Sequence, residues 1–281
     1  MTETEDAAGP RASPVARAAL LAYLLLIVYA SWFPFSGWRS SGLSPFAFLN
    51  LQPQRYWTAF DVMVNVVGYM PLGVLMVLAL HPAVRGLWAV AVAAVGGILV
   101  SGTMEVVQNY LPSRVPSNLD LLTNSGGCLA GAVLGLLFAP LLLDHGRLQR
   151  LRQRWFAAHA SQGLVLVALW PLAQVYPQGY LFGNGQILPL LSEWLSEWLD
   201  TDIDLITLIR GSTGMTVEQY WLSEIVITAC GMSGAALTLL CLTRRGAPRL
   251  WLMLAMVFTG VLVKTLASSL FFSPDNALTW I

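Results

Sequence analysis

The chain has 281 residues, of which 56% are hydrophobic and only 11% charged, against about 25% charged in an ordinary soluble domain. Fifteen basic and fifteen acidic residues cancel to a net charge of zero, too few to clothe a soluble protein and with no basic field for phosphate. These figures count against a soluble enzyme, a disordered chain and a nucleic-acid binder; with a mean hydropathy of +0.65 they leave an integral membrane protein.

Residues 1–16 are acidic, carry Gly9, Pro10 and Pro14, and read as a disordered cytoplasmic tail. A helix needs about 20 mostly apolar residues to cross a bilayer, and seven stretches qualify: 17–35, 58–80, 86–110, 118–143, 160–177, 221–243 and 250–272. The fifth is the weakest, because Trp170-Pro171 interrupts it. The first could also be a signal peptide cleaved after Val28-Tyr29-Ala30, but apolar sequence continues through Trp32-Phe33 and favours a span. The expected fold is all-α, a polytopic transmembrane bundle of about seven spans with its N-terminus inside. Residues 17–143 form a four-span unit, 144–159 an Arg-rich cytoplasmic loop, and 160–281 a three-span region with an acidic extracytoplasmic loop, 178–220.

Orientation follows from the placement of arginine. Placing the N-terminus, Arg85 and the loops 144–159 and 244–249 inside gives ten inside cations; Arg39, Arg55, Arg114 and Arg210 fall outside, four in all. Within the outer loop, Leu191, Trp194, Leu195, Trp198 and Leu199 recur at helical spacing, and Glu193, Glu197 and Asp200 fall off that stripe. This predicts an amphipathic helix lying on the outer surface, or a short helix packed over the spans. Cys128, Cys230 and Cys241 all lie in apolar stretches and read as buried helix-packing residues.

Charged groups inside spans are costly and usually face the protein interior. On this topology Asp61 and Asn65 open the second span from outside, Ser101, Glu105 and Gln108 end the third, Arg114 lies in the outer loop, and Asp120 and Asn124 open the fourth. All eight share one depth, and the pairs Asp61/Asn65, Ser101/Glu105 and Asp120/Asn124 each lie on one helix face. Gly127, Gly131 and Gly135 form a small-residue stripe that lets helix backbones approach. Three carboxylates outnumber Arg114, so either another cation joins them or one carboxyl stays protonated. Glu105, Arg114 and Asp120 are expected to interact directly or through one partner. Lys264, the only lysine, is expected to pair with Glu224 across the last two spans. No HExxH pattern, Walker loop or dinucleotide fingerprint is present, so neither a metal nor a cofactor is expected.

The pieces Tyr29-Ala-Ser-Trp-Phe-Pro-Phe35, Asp61-x3-Asn65, Tyr69-Met-Pro-Leu-Gly73, Ser101-x3-Glu105-x2-Gln108, Leu111-Pro-x-Arg114 and Asp120-x3-Asn124-x2-Gly127 together resemble the VanZ-like family of membrane proteins. The resemblance covers Tyr29 to about Leu137; the spans after 160 carry no such pattern. It implies a bacterial cell-envelope role, of the kind that affects susceptibility to teicoplanin-type glycopeptides. The expected place is the cytoplasmic (inner) membrane, crossed several times. The expected partners are membrane lipids and a cell-wall or lipid-linked glycan intermediate. The polar cluster then binds or modifies that intermediate. A membrane-embedded enzyme on a lipid-linked substrate and a non-catalytic scaffold in an envelope assembly are the alternatives. A transporter is disfavoured because the polar residues stop in the outer half of the spans. The sequence does not give the oligomeric state.

Overall fold

The computed structural model describes residues 13–40, 42, 44–50, 57–143, 147–172, 187–210 and 216–272, and every regular element among them is helical. Helix α1, Pro14–Trp32, begins where the Ser13 hydroxyl accepts from the Ala16 N–H and Pro14 takes the first helical position, which needs no donor. Helix α2, Ala59–Leu80, is opened by a reciprocal capping box between Thr58 and Asp61 and continues through Pro71. Helix α3 is Gly86–Gln108 and α4 is Asn118–Leu143. Ser117 caps α4, its Oγ accepting from the N–H groups of Leu119 at 3.2 Å and Asp120 at 3.3 Å.

The chain divides into two compact units, Met1–Arg152 and Gln153–Ile281. In the first, α2 and α4 run parallel with their backbones in contact. A Cβ on Gly127 would strike the Val66 carbonyl, one on Gly131 the Met70 carbonyl, and one on Gly135 would crowd Val74. Each of these pairs is 61 positions apart (127 against 66, 131 against 70, 135 against 74), so one register holds along the seam. Gly73 meets the Cys128 carbonyl in the same seam, and Gly97 of α3 meets the Cys128 side chain. Such glycines replace side-chain packing by direct backbone approach, which suits a lipid environment where burying apolar groups gains little. The Tyr23 hydroxyl donates to the Gly68 carbonyl at 2.6 Å, tying α1 to α2 beside Pro71, which lacks an N–H for the helix ladder. Ile27, Tyr69, Leu72, Met104 and Cys128 form a core drawn from all four helices.

Many large apolar side chains point away from that core. Leu21, Val67, Leu99 and Leu137 are each more than half exposed. Water would oppose this surface; acyl chains would not. Six helices, α1 to α4 together with Ile225–Leu242 and Arg249–Ala267, are long and apolar enough to cross a membrane. The protein is a multi-pass membrane protein.

Helix α5, Arg147–Trp155, leads into the second unit, which holds α6 (Ser161–Leu172), α7 (Ile187–Leu199), α8 (Leu205–Arg210), α9 (Val217–Leu242) and α10 (Arg249–Phe272). Gly163 of α6 sits against Leu242 of α9, and the Trp170 ring sits against Gly260 of α10. Phe156 and Thr243 form an antiparallel bridge, with the Ala157 N–H on the Leu242 carbonyl at 2.9 Å and the Arg244 N–H on the Trp155 carbonyl at 2.8 Å. The start of α6 and the end of α9 therefore share one end of this unit.

The fifth expected span, 160–177, is described only as far as Leu172, as helix α6 with 12 residues; residues 173–177 lie outside the described residues. At 1.5 Å per residue the described part covers about 18 Å of a hydrocarbon core of about 30 Å. Helix α9, with 26 residues, puts its own start at the opposite end of the unit from the Phe156–Thr243 bridge. Between Ala157 and Thr216, residues 173–186 and 211–215 lie outside the described residues.

The amphipathic segment forms helix α7, and Leu191, Trp194 and Trp198 on it are exposed. Its serines face the chain that follows: Ser196 Oγ accepts from the Ile203 N–H and Ser192 Oγ from the Leu205 N–H, both at 2.9 Å. Of the three cysteines only Cys128 is buried; Cys230 and Cys241 are exposed on α9, which corrects their reading as buried packing residues.

Candidate functional site

Thr58-x2-Asp61 and Ser117-x2-Asp120 are two helix starts of the same design, each with a capping hydroxyl and a carboxylate three residues on. A carboxylate in the first turn is favoured by the N-terminal partial positive charge of the helix. Because α2 and α4 are parallel and in register, these two first turns lie side by side. A pocket of about 230 Å³ opens there, lined by Trp57, Phe60, Asp61, Asn65, Leu119 and Asp120 among others. Asp61 Oδ2 accepts from the Thr58 N–H at 2.9 Å and from its hydroxyl at 2.7 Å. The Asp120 carboxyl is within hydrogen-bonding reach of the Asn65 amide and the Ser117 hydroxyl, and it feels the charge of Asp61. Asn65 also donates to Thr123 Oγ1 at 3.3 Å.

A second polar layer lies deeper. Glu105 is buried, and its Oε2 accepts the Ser117 N–H at 2.8 Å. Asn124 Nδ2 donates to Ser101 Oγ at 3.0 Å, both residues being buried. The Tyr69 hydroxyl and Asn124 Oδ1 are buried without a hydrogen-bond partner, with Tyr69 beside Ser101.

Gln108 and Arg114 do something else. Gln108 Nε2 donates to the Ser31 carbonyl at 3.1 Å, and Arg114 Nη2 donates to the carbonyls of Ala30 at 2.8 Å and Phe33 at 3.1 Å. These are carbonyls at the end of α1, where the helix offers no further N–H groups. The Arg39 N–H donates to the Tyr110 carbonyl at 2.9 Å, so the α3–α4 loop is stitched to the segment after α1. Arg114 Nη2 is thus held by two carbonyls at the end of α1. Glu105 and Asp120 meet through Ser117.

The eight residues therefore fall into three groups: Asp61, Asn65 and Asp120 at the pocket, Ser101, Glu105 and Asn124 beneath it, and Gln108 and Arg114 on α1. Lys264 lies half-buried on α10, and the side chain of Glu224 lies outside the described residues, as does the expected pair. Trp57, Phe60, Ser117 and Thr123 were not singled out from sequence, and Tyr69 only as the first residue of a motif. For two of them a signal was there: Tyr69 continues the Asp61/Asn65 spacing by a further four residues, and Ser117 precedes Asp120 by three, the spacing of a helix cap. Among the described residues no group of three His, Cys, Asp or Glu converges as metal donors.

Residues 20–139 match the family model described as VanZ/LLP1, a stretch that covers most of α1–α4 and every residue of the pocket. The first unit is thus similar to the VanZ/LLP1 family over most of its length. No curated relative and no solved structure matches the chain.

Proposed function

We propose that this VanZ-like unit binds the sugar portion of a cell-wall, glycan or lipid-linked intermediate in the pocket between α2 and α4, on the extracytoplasmic face of the bacterial cytoplasmic membrane. The lining of the pocket carries the reading. Trp57 and Phe60 offer exposed ring faces on which the C–H face of a sugar ring packs. Asp61, Asn65 and Asp120 offer two acceptors and an amide for its hydroxyl groups. Two carboxylates repel phosphate, so the sugar and not the diphosphate of a lipid-linked intermediate belongs in this pocket. The position, at the first turns of two spans, is head-group depth.

The test is native mass spectrometry of the purified full-length protein with a prenyl-diphosphate-linked disaccharide of N-acetylhexosamines. The wild type should form a one-to-one complex, and Asp61→Asn/Asp120→Asn should weaken it by about tenfold or more, the loss of one good polar contact. Equal binding by both proteins overturns the reading. A second reading is enzymatic, favoured by the proximity of Asp61 and Asp120: two carboxylates sharing a pocket suit a general acid–base pair. Cleavage or modification of the bound disaccharide lipid separates it from binding alone. A purely scaffolding role predicts neither.

A further inference from the structure

We propose that one end of the second unit is a docking site for anionic phospholipid, built from Arg154, Arg244, Arg245 and Arg249. These residues come from two stretches far apart in sequence. The Phe156–Thr243 bridge brings them together: the chain on either side of it carries Arg154 on one strand and Arg244 and Arg245 on the other. All four are exposed.

Two of the guanidiniums are held in place. Arg244 Nε donates to the Phe156 carbonyl at 3.0 Å. Arg249 donates to Thr243 twice, Nε to Oγ1 and Nη2 to the carbonyl, both at 3.2 Å. Each bond uses one or two of the five guanidinium donors, so donors remain for phosphate oxygens from a group whose rotamer is already fixed. Holding the side chain beforehand lowers the entropy cost of binding.

No carboxylate lies in the two stretches of sequence that carry the site. The stretches 153–192 and 225–274 contain no Asp or Glu. Glu218, in the first turn of α9, lies at the opposite end of that helix from Thr243.

The choice of a lipid over a free anion rests on the residues just beyond the arginines. Leu250 and Trp251 open α10 directly after Arg249 and are 67% and 72% exposed. An exposed Trp two residues beyond Arg249, at the end of the unit that carries these arginines, is the arrangement of a membrane interface, with rings at head-group level and cations on the phosphates. A soluble anion would leave that apolar pair bare. The site is independent of the α2–α4 pocket and of the sugar reading.

The experiment uses the full-length protein in nanodiscs that mix phosphatidylcholine with phosphatidylglycerol, followed by extraction and native mass spectrometry of the lipids retained. The wild type should retain phosphatidylglycerol in preference. Arg154→Gln/Arg245→Gln, which leaves the Arg244 and Arg249 hydrogen bonds in place, should reduce that preference by about thirtyfold, the scale set by removing two interfacial cations. Arg244→Gln/Arg249→Gln should do the same, with helix content checked by circular dichroism. Equal preference in the wild type and the Arg154→Gln/Arg245→Gln protein overturns the proposal. Displacement of phosphatidylglycerol by excess inorganic phosphate would also overturn it, by making the site one for a free anion.

Discussion

The buried carboxylate of Glu105 holds the backbone N–H of Ser117 at 2.8 Å, and Ser117 is the residue that caps α4. The end of α3 therefore sets where α4 begins, and with it the height of Asp120. Deleting the acceptor leaves a buried N–H unsatisfied, at a cost of about 1–3 kcal/mol. Glu105→Ala should lower the thermal unfolding midpoint in detergent. Glu105→Gln keeps an acceptor oxygen and should lose less. A Glu105→Ala protein that melts with the wild type would show that this bond does not fix the start of α4.

The glycine seam makes a sharper prediction. In Gly131→Ala the new Cβ meets the Met70 carbonyl, and backbone cannot swing aside as a flexible side chain does. Overpacking of a tight contact costs about 1–3 kcal/mol, and here α2 and α4 must separate. The control is Gly126→Ala, one turn away on the open face, where nothing lies within 4 Å of the added atom. The first should reduce stability in detergent and the second leave it unchanged. Similar melting of the two proteins would mean that the backbones are not in contact.

Asp61→Asn/Asp120→Asn tests the pocket in cells. Asparagine keeps an acceptor for each cap, so both helix starts survive while the negative charge goes. In a glycopeptide-susceptible host, the wild-type protein should alter the teicoplanin inhibitory concentration and the double variant should not, at equal membrane levels on an immunoblot. An undiminished effect of the variant would remove the carboxylates from the function.

Arg114→Lys separates clamp from ligand site. Lysine keeps the charge but lacks the planar fork that reaches two carbonyls at once. Hydrogen exchange should rise in residues 30–35 and in the 110–114 loop, which Arg114 holds together. Unchanged exchange there, with ligand binding lost, would return Arg114 to the binding site.

Topology is open to a direct measurement. The Phe156–Thr243 bridge requires the loops on either side of it to lie on one face of the membrane. The excess of arginine predicts that this face is cytoplasmic. A reporter active only outside the cytoplasm should be silent when fused after Arg154 and after Arg245, and active after Asp204. Activity after Arg154 would invert the orientation.

The sequence was a good guide wherever one helix face decides the matter. The four-residue spacings of Asp61/Asn65 and Asp120/Asn124 put those residues on the faces that now meet, because a helix in lipid turns its few polar groups toward its neighbours. The stripe Gly127, Gly131 and Gly135 marked the tight interface for the same reason. Direction was harder to read. A guanidinium at head-group depth suits a carboxylate or the bare carbonyls of a helix end equally well, and only the position of α1 against the α3–α4 loop decides for Arg114. Trp57 and Phe60 were out of reach for a related reason: their place beside Asp120 depends on the α2–α4 register, which no single helix encodes. The fifth span can be compared only as far as Leu172, where α6 continues through Pro171 as the apolar composition does.

The fixed offset between α2 and α4 acts as a gauge for the cleft above it. A slip of one helical turn would shift one helix by about 5.4 Å against the other. Asp61 would leave the vicinity of Asp120, and each intermediate position would drive a side chain into a carbonyl that only glycine now admits. A guest in the cleft therefore meets acid groups whose spacing it cannot widen by sliding the helices. What remains adjustable is the pair of rings at the rim. Trp57 and Phe60 are exposed, so if the proposed sugar binding holds, selectivity among guests of different girth would fall to their rotamers, while the carboxylates keep a constant measure.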